Sequence, residues 1–430
     1  MHVKEAPARS RGRSDNRRDA GRSADPAEER RSRSLGSQAR PQRDKGLAPS
    51  ARIVLDPDNM PADTIAAAGV LDIRPDGAAF LRTRDNWLPD PTDVMVPQNV
   101  IRNYQLRHGQ MIQGFARPNG RSSALALIQT VEGLDPEAAA LLPRFTTLEA
   151  EIPYERLRLE TTQEQIGPRI IDLLAPLGKG QRGLIVAPPQ AGKTRLLRDI
   201  ATSVTTNHPD TNLFILLIDE RPEEVTELRS LRMGQVVAST FDESRVGHLA
   251  AAELALERIQ RLVEAGKDVF VLMDSLTRLA RASNLSIRGT GRSLSGGLDP
   301  AALTFPRKLF GAARATRGAG NLTILATALV ETGSVMDEFV FQEFKGTGNW
   351  EVKLERKLAQ RRIFPAIDIA GSGTRREEML YTPQELSAMT RLRQYLYKFS
   401  QTPEARSERL VWLLHKTKSN ADLLALVDRL

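Results

Sequence analysis

Apolar residues are distributed along this chain in three distinct regimes. Residues 1–50 hold almost no large apolar side chain and are rich in Arg, Ser, Asp and Gly. Such a segment cannot bury enough surface to offset the entropy of ordering, so it is expected to be a disordered basic tail. Residues 66–135 alternate with a period of two in short runs such as "GVLDIRPDGAAFLRT", "DVMVPQNVI" and "SSALALIQTVEG", with Gly, Pro, Asp and Asn between them. This pattern predicts a small β-barrel of the OB or cold-shock type. A mixed connector over 136–165 follows.

From residue 166 to the C-terminus the pattern changes again. Continuous apolar runs appear at 183–187 (GLIVA), 213–219 (LFILLID), 269–274 (VFVLMD) and 322–329 (LTILATAL). Runs of this kind suit strands buried on both faces of a parallel sheet. Helical faces lie between them: Leu196, Leu197, Ile200, Ala201 and Val204 form one, and Leu249, Leu256, Ile259, Leu262 and Val263 another, with Gly266 as its stop. The predicted fold class is α/β: a P-loop NTPase domain with a parallel sheet, ending in C-terminal helices and preceded by the barrel and the tail.

Charge sharpens this division. Of the +8 net charge, residues 1–50 carry +6 (13 Lys/Arg against 7 Asp/Glu), and the remainder carries +2. The basic character is thus a tail property, which fits either a solubilising segment or an arm on nucleic-acid phosphate. There is no cysteine, and the five histidines show no ligand spacing, so disulfide and thiolate-metal chemistry is excluded. No apolar run reaches membrane-spanning length, and the expected location is the cytoplasm.

The candidate chemistry begins at Gly192-Lys193-Thr194, which closes "GLIVAPPQAGKT". A P-loop curls backbone N–H groups around phosphate at a helix N-terminus. Lys reaches the β- and γ-phosphates and the hydroxyl meets Mg²⁺. The usual first glycine is here Ala187, followed by Pro188 and Pro189. Ala187 ends the strand before the curl, and the donors nearest phosphate are those of Gln190 to Thr194, so the substitution is not disabling. Asp274 ends an apolar strand, where a carboxylate meets Mg²⁺ or its water. Glu220 follows another and can orient and deprotonate an attacking water. For Asp219 and Glu220 a strand-end cap or salt bridge is an equally open reading. Arg375, in a Gly/Ser turn, is either solvated or a catalytic finger, and Phe364 is either core or an adenine-stacking face.

Together "GKGQRGLIVAPPQAGKT", "LLIDERPEEVTE", "VVASTFDE", "DSLTRLARA", "FGAAR", "EFKGTGN" and "FPAIDIAGSGTRREE" resemble the bacterial transcription termination factor Rho family, from about Gly69 to the C-terminus. The resemblance implies a homohexameric RecA-like ring with ATP between subunits and RNA in the pore, moving 5′ to 3′ to dislodge RNA polymerase. It makes Lys193 and Thr194 the phosphate and Mg²⁺ grip, Glu220 the general base and Asp274 the Mg²⁺-side carboxylate. Arg221 becomes a phosphate-sensing neighbour, and Arg375 a finger to the adjacent subunit's ATP. The implied ATP pocket is bordered by Gly178, Lys179, Gly180, Gln181, Arg182 and Gly183, by Gln190, Ala191, Gly192 and Arg195, and by Phe364. Implied RNA contacts are Gly77, Phe80, Arg82 and Trp87 in the barrel, and Arg292 and Val335 in two pore loops. The chain departs from the family's pattern in several places. Gln190 replaces a P-loop lysine, Arg292 and Val335 stand at lysine positions, and Gly77-Ala78-Ala79-Phe80 replaces Gly-Phe-Gly-Phe. Met95 and Ser123 occupy two further aromatic positions, and no helical lobe is read before the barrel. Two other readings stay open: a rotary-type ATPase subunit, and an RNA-binding protein with a decayed motor.

Overall fold

The computed structural model describes residues 63–84, 87–120, 122–242, 245–287 and 295–427. The expected tail and Arg292 lie outside the described residues.

The period-two segments form a closed barrel of five strands: β1 (Ile65–Ile73), β2 (Ala79–Arg82), β3 (Val94–Met95), β4 (Met111–Asn119) and β5 (Ser122–Val131), in the order β1-β2-β3-β5-β4. Inward positions of the alternation, including Leu71, Leu81, Ile112 and Leu125, fill its interior. The connector carries two two-residue strands, β6 (Ala150–Glu151) and β7 (Arg156–Leu157), and β7 pairs β8 (Leu177–Gly178) beyond it.

The continuous apolar runs become the centre of a seven-stranded sheet. Its members are β9 (Arg182–Ala187), β10 (Asn212–Glu220), β11 (Gln235–Thr240), β12 (Val269–Asp274), β14 (Leu322–Leu329), β15 (Trp350–Lys353) and β16 (Gly373–Thr374); β13 (Ala315–Thr316) instead pairs β6. The order is β11-β10-β12-β14-β9-β15-β16, parallel except for the edge strand β16. One face packs the helices Ile166–Leu174, Lys193–Asn207 and the three C-terminal helices; the other packs Arg245–Glu264, Leu276–Ser286 and Val335–Lys345. Both faces are therefore covered, which is why these strands read as unbroken apolar runs.

The barrel docks on the helix Arg245–Glu264. Gly109, at φ 85°, lies so close that a Cβ there would sit 2.5 Å from the Glu257 carbonyl carbon. Arg258 Nη1 pairs with Glu132 Oε1 at 2.6 Å, and Arg107 with Glu264 at 2.9 Å. Trp87 contacts Phe214 of β10, with ring centroids 6.3 Å apart.

Candidate functional site

In a parallel sheet the carboxyl ends of neighbouring strands open onto one edge, and three of the expected residues meet there. β9 ends at the fully buried Ala187, and the chain turns through Pro188 and Pro189. Gln190 (φ 64°) and Gly192 (φ 89°) both adopt left-handed backbone before the helix Lys193–Asn207 begins. Gly192 is needed for this dihedral rather than for space, since a Cβ would reach the Phe364 ring at an ordinary 3.5 Å. No side chain caps the helix, so its first-turn N–H groups face the loop mouth unspent by any cap, as an anion site requires.

Lys193 crosses to the neighbouring strand ends. Its Nζ lies 2.6 Å from Asp274 Oδ1 and 3.8 Å from Glu220 Oε2. Thr327 donates to Asp274 Oδ1 at 2.8 Å, and Thr194 Oγ1 donates to Glu224 Oε2 at 3.2 Å. A bulge after Ile218, with Asp219 at φ 57°, turns Glu220 inward to 1% exposure. Glu220 Oε1 accepts from the Arg221 N–H at 3.2 Å and from Arg278 Nη2 at 3.3 Å, while Arg278 also donates to the Asp219 carbonyl. Oε2 is buried with no hydrogen-bond partner. Burial, seconded by the Asp274 charge, pushes the Glu220 carboxyl above its ordinary value, against the pull of Lys193 and Arg278. One oxygen from each of Glu220, Glu224 and Asp274 falls within 4.8 Å of the others. Hard oxygen ligands beside a hydroxyl and an orphaned buried carboxylate oxygen suit Mg²⁺.

Phe364 is half-buried against Gly192 and lines two adjoining cavities. One includes Ala191, Arg195 and His415; the other includes Pro189, Gln190 and Arg362. Arg221 and Arg195 are exposed at this edge of the domain.

The remaining expected ATP residues are not brought to this mouth. Gly178 to Gly183 lie at the opposite end of β9. Lys179 pairs with Asp268 at 2.7 Å and also with Glu155, and Gly180 is pressed on Ala315. Gln181 accepts from Gly178 N–H at 2.9 Å, and Arg182 donates to the Ala313 and Thr347 carbonyls at 2.9 and 3.2 Å. Arg375 shares that end. Trp350 pairs with both Gly183 and Thr374, so Arg375 stands about four residues, roughly 13 Å, along the strand from Ala187. Its backbone is pinned by Arg375 N–H to Asn349 O at 2.9 Å, by Thr374 Oγ1 to Pro176 O at 2.6 Å, and by the Glu377–Arg393 pair at 2.5 Å. Its side chain is exposed.

In the barrel, Gly77 (φ 85°) makes the exposed turn between β1 and β2, and Phe80 is half-buried beside Met95. Arg82 and Trp87 point inward instead of outward. Arg82 is 5% exposed, bound to Asp72 and, at 2.6 Å, to Asp93; Trp87 is 7% exposed in the barrel–sheet junction. An arginine flanked by two carboxylates is held inside, and an indole packed on Phe214 has no face left for a strand on the barrel surface. Val335 opens a helix and is 60% exposed. Sequence reading passed over Glu224 and Arg278. Each lies four residues after a named carboxylate, Glu220 and Asp274, and that spacing at a strand–helix junction was the available signal.

Residues 67–137 match the Rho termination factor RNA-binding domain, and residues 167–374 match the nucleotide-binding domain of the ATP synthase alpha/beta family. The chain is 48% identical over 371 residues to transcription termination factor Rho of Bacillus subtilis, covering 85% of this chain and 86% of that one. It is 49% identical over 364 residues to Rho of Aquifex aeolicus, covering 83% of each. Against Rho of Micrococcus luteus it is 48% identical over 376 residues, 84% of this chain but 54% of that one, so it spans about half the length of some curated relatives. Among solved structures it is similar in fold to a type III secretion system ATPase of pathogenic bacteria (TM-score 0.54, 24% identity, 73% of this chain and 93% of that one). It is likewise similar to an ATP synthase subunit of Nanoarcheaum equitans (TM-score 0.54, 18% identity, 65% and 76%).

Proposed function

The chain belongs to the transcription termination factor Rho family, and from that premise we propose that it hydrolyses ATP to translocate along nascent RNA and dislodge RNA polymerase. The observation that carries the reading is the Lys193–Asp274–Glu220 cluster: a P-loop cation bonded to one strand-end carboxylate and 3.8 Å from a second that is buried.

ATP phosphates enter the loop mouth, where the N–H groups from Gln190 to Thr194 receive them, and Lys193 exchanges Asp274 for phosphate oxygen. Thr194 and Asp274, with Glu224 in reach, would hold Mg²⁺, which would supply charge neutralisation. Glu220 orients the attacking water and accepts its proton. The raised affinity of this carboxyl for a proton makes it a better base than an exposed glutamate. Arg278 holds Glu220 by one oxygen and leaves the other free for that task. Phe364 and Arg195 border the base and sugar.

Arg375 and Gly178–Gly183 sit at the far end of β9, so in this reading they serve the nucleotide of an adjacent subunit in a homohexameric ring. RNA contacts are assigned to Phe80 and Gly77 on the barrel, and to Val335 and Arg292 at the pore. The cytoplasm is the site of action. A rotary-type subunit would share the ATPase fold, yet the Rho-type RNA-binding domain over 67–137 favours the RNA motor. A decayed motor is disfavoured by the intact Lys193–Asp274 contact. The test is Lys193→Ala, which should abolish Mg-dependent ATP hydrolysis and transcript release from stalled polymerase; wild-type turnover would overturn the assignment.

A further inference from the structure

Two of the five exposed aromatic side chains among the described residues, Phe399 and Trp412, flank the single guanidinium of Arg409 where two C-terminal helices meet, and a third, Tyr397, lies two residues before Phe399. Tyr397 and Phe399 are each 51% exposed at the end of the helix Pro383–Phe399, and Trp412 is 49% exposed on the next helix, Pro403–Lys416. Clustered apolar exposure of this kind marks an interaction site.

Cations lie against these rings. The Arg409 guanidinium carbon is 4.5 Å from the Trp412 ring centre and 5.1 Å from that of Phe399; Arg406 lies 4.1 Å from Tyr397, and Lys416 lies 5.9 Å from Trp412. Each of these rings nonetheless stays about half exposed. The acids of the second helix do not neutralise the patch: Glu404 pairs with Lys357 at 3.2 Å and Glu408 with Arg361 at 2.5 Å. The surface therefore fits an anionic partner with flat apolar faces.

We propose that this patch is a docking surface for single-stranded RNA, whose bases stack on Trp412 and Phe399 while the exposed Lys416 offsets phosphate charge. An acidic peptide fits less well. Its carboxylates need a free guanidinium fork, whereas Arg409 spends Nε and Nη2 on the Tyr395 hydroxyl at 2.8 and 2.5 Å. What remains available is ring face, and every base presents one. The surface is separate from the barrel and pore contacts assigned above.

The experiment uses the full chain and the oligonucleotide rU12. Trp87 and Trp350 are buried (7% and 2% exposed), so quenching of tryptophan emission by RNA reports Trp412. The expected result is saturable quenching that Trp412→Phe removes, with Phe399→Ala shifting the midpoint of that quenching about 5- to 150-fold, the worth of one stacked base. No quenching overturns the proposal. So does equal quenching by poly-glutamate, which assigns the patch to acidic peptides, or a changed oligomeric state in Trp412→Ala, which assigns it to a subunit contact. RNA-stimulated ATP hydrolysis is measured in parallel. Intact stimulation without quenching sinks only this inference, whereas absent stimulation in wild type sinks the motor reading.

Discussion

Glu220→Gln separates a catalytic carboxylate from a structural one. The amide keeps the shape of the side chain and one oxygen for the Arg221 N–H and Arg278. It loses a negative charge 3.8 Å from Lys193 and within 4.8 Å of an Asp274 oxygen. At an effective dielectric of about 20, the lost attractions to Lys193 and to Arg278 at 3.3 Å are about 4 and about 5 kcal/mol, and the relieved repulsions from Asp274 and Glu224 are each at least about 3.5 kcal/mol. These nearly cancel, and burial decides the sign. A carboxylate at 1% exposure with an unpartnered oxygen is costly to desolvate, so the neutral variant should melt at the same temperature or higher. ATP affinity, set at the P-loop, should hold. Turnover should fall about 10²- to 10⁴-fold, the usual worth of a general base. Fluorescent-nucleotide titration, single-turnover hydrolysis and thermal melting together read all three. Turnover above a tenth of wild type refutes the base assignment. Turnover lost together with several degrees of melting temperature refutes the local electrostatic reasoning. In wild type the acid limb of turnover should lie above the ordinary 4.5 of a glutamate, because protonation disables the base and burial raises the pH at which it occurs.

Two other outcomes follow from the same geometry. Arg375→Ala should bind ATP normally and lose turnover, and mixing it with Glu220→Gln subunits should restore some hydrolysis at interfaces that pair an intact Glu220 with an intact Arg375; no recovery in exchanging rings contradicts action in trans. Asp172, buried and accepting the Leu159 and Glu160 N–H groups at 2.9 and 2.7 Å, has its carboxyl pushed from 3.8 up to about 6 by burial. Its folded pKa is raised, so its stabilising contribution is full below pH 3.8 and is lost as pH rises through 6; Asp172→Asn should therefore gain up to about 3 kcal/mol over wild type at pH 8 and little at pH 4, checked by denaturant melts.

The central strands were legible in the sequence because burial on both faces writes itself as an apolar run: "VFVLMD" is β12 and "LTILATAL" is β14, residue for residue. The edges were not. β15 and β16 are four and two residues long, too short for any period to register. The strand-end positions of Glu220 and Asp274 were legible because a polar residue ending an apolar run must sit at a strand's carboxyl end. Glu224 was not, since an acid in the first turn of a helix has a dipole-stabilising role that looks the same from sequence. Arg82 and Trp87 show the converse limit. Whether an arginine or an indole faces in or out depends on partners such as Asp72, Asp93 and Phe214, which only the closed barrel and its docking bring near.

The most direct test of the whole account is the RNA dependence of ATP turnover by the full chain, measured with and without poly(C). The expected result is background hydrolysis alone and sustained hydrolysis on adding RNA, lost in Lys193→Ala. Hydrolysis that proceeds equally with and without RNA would contradict it and favour a rotary-type ATPase.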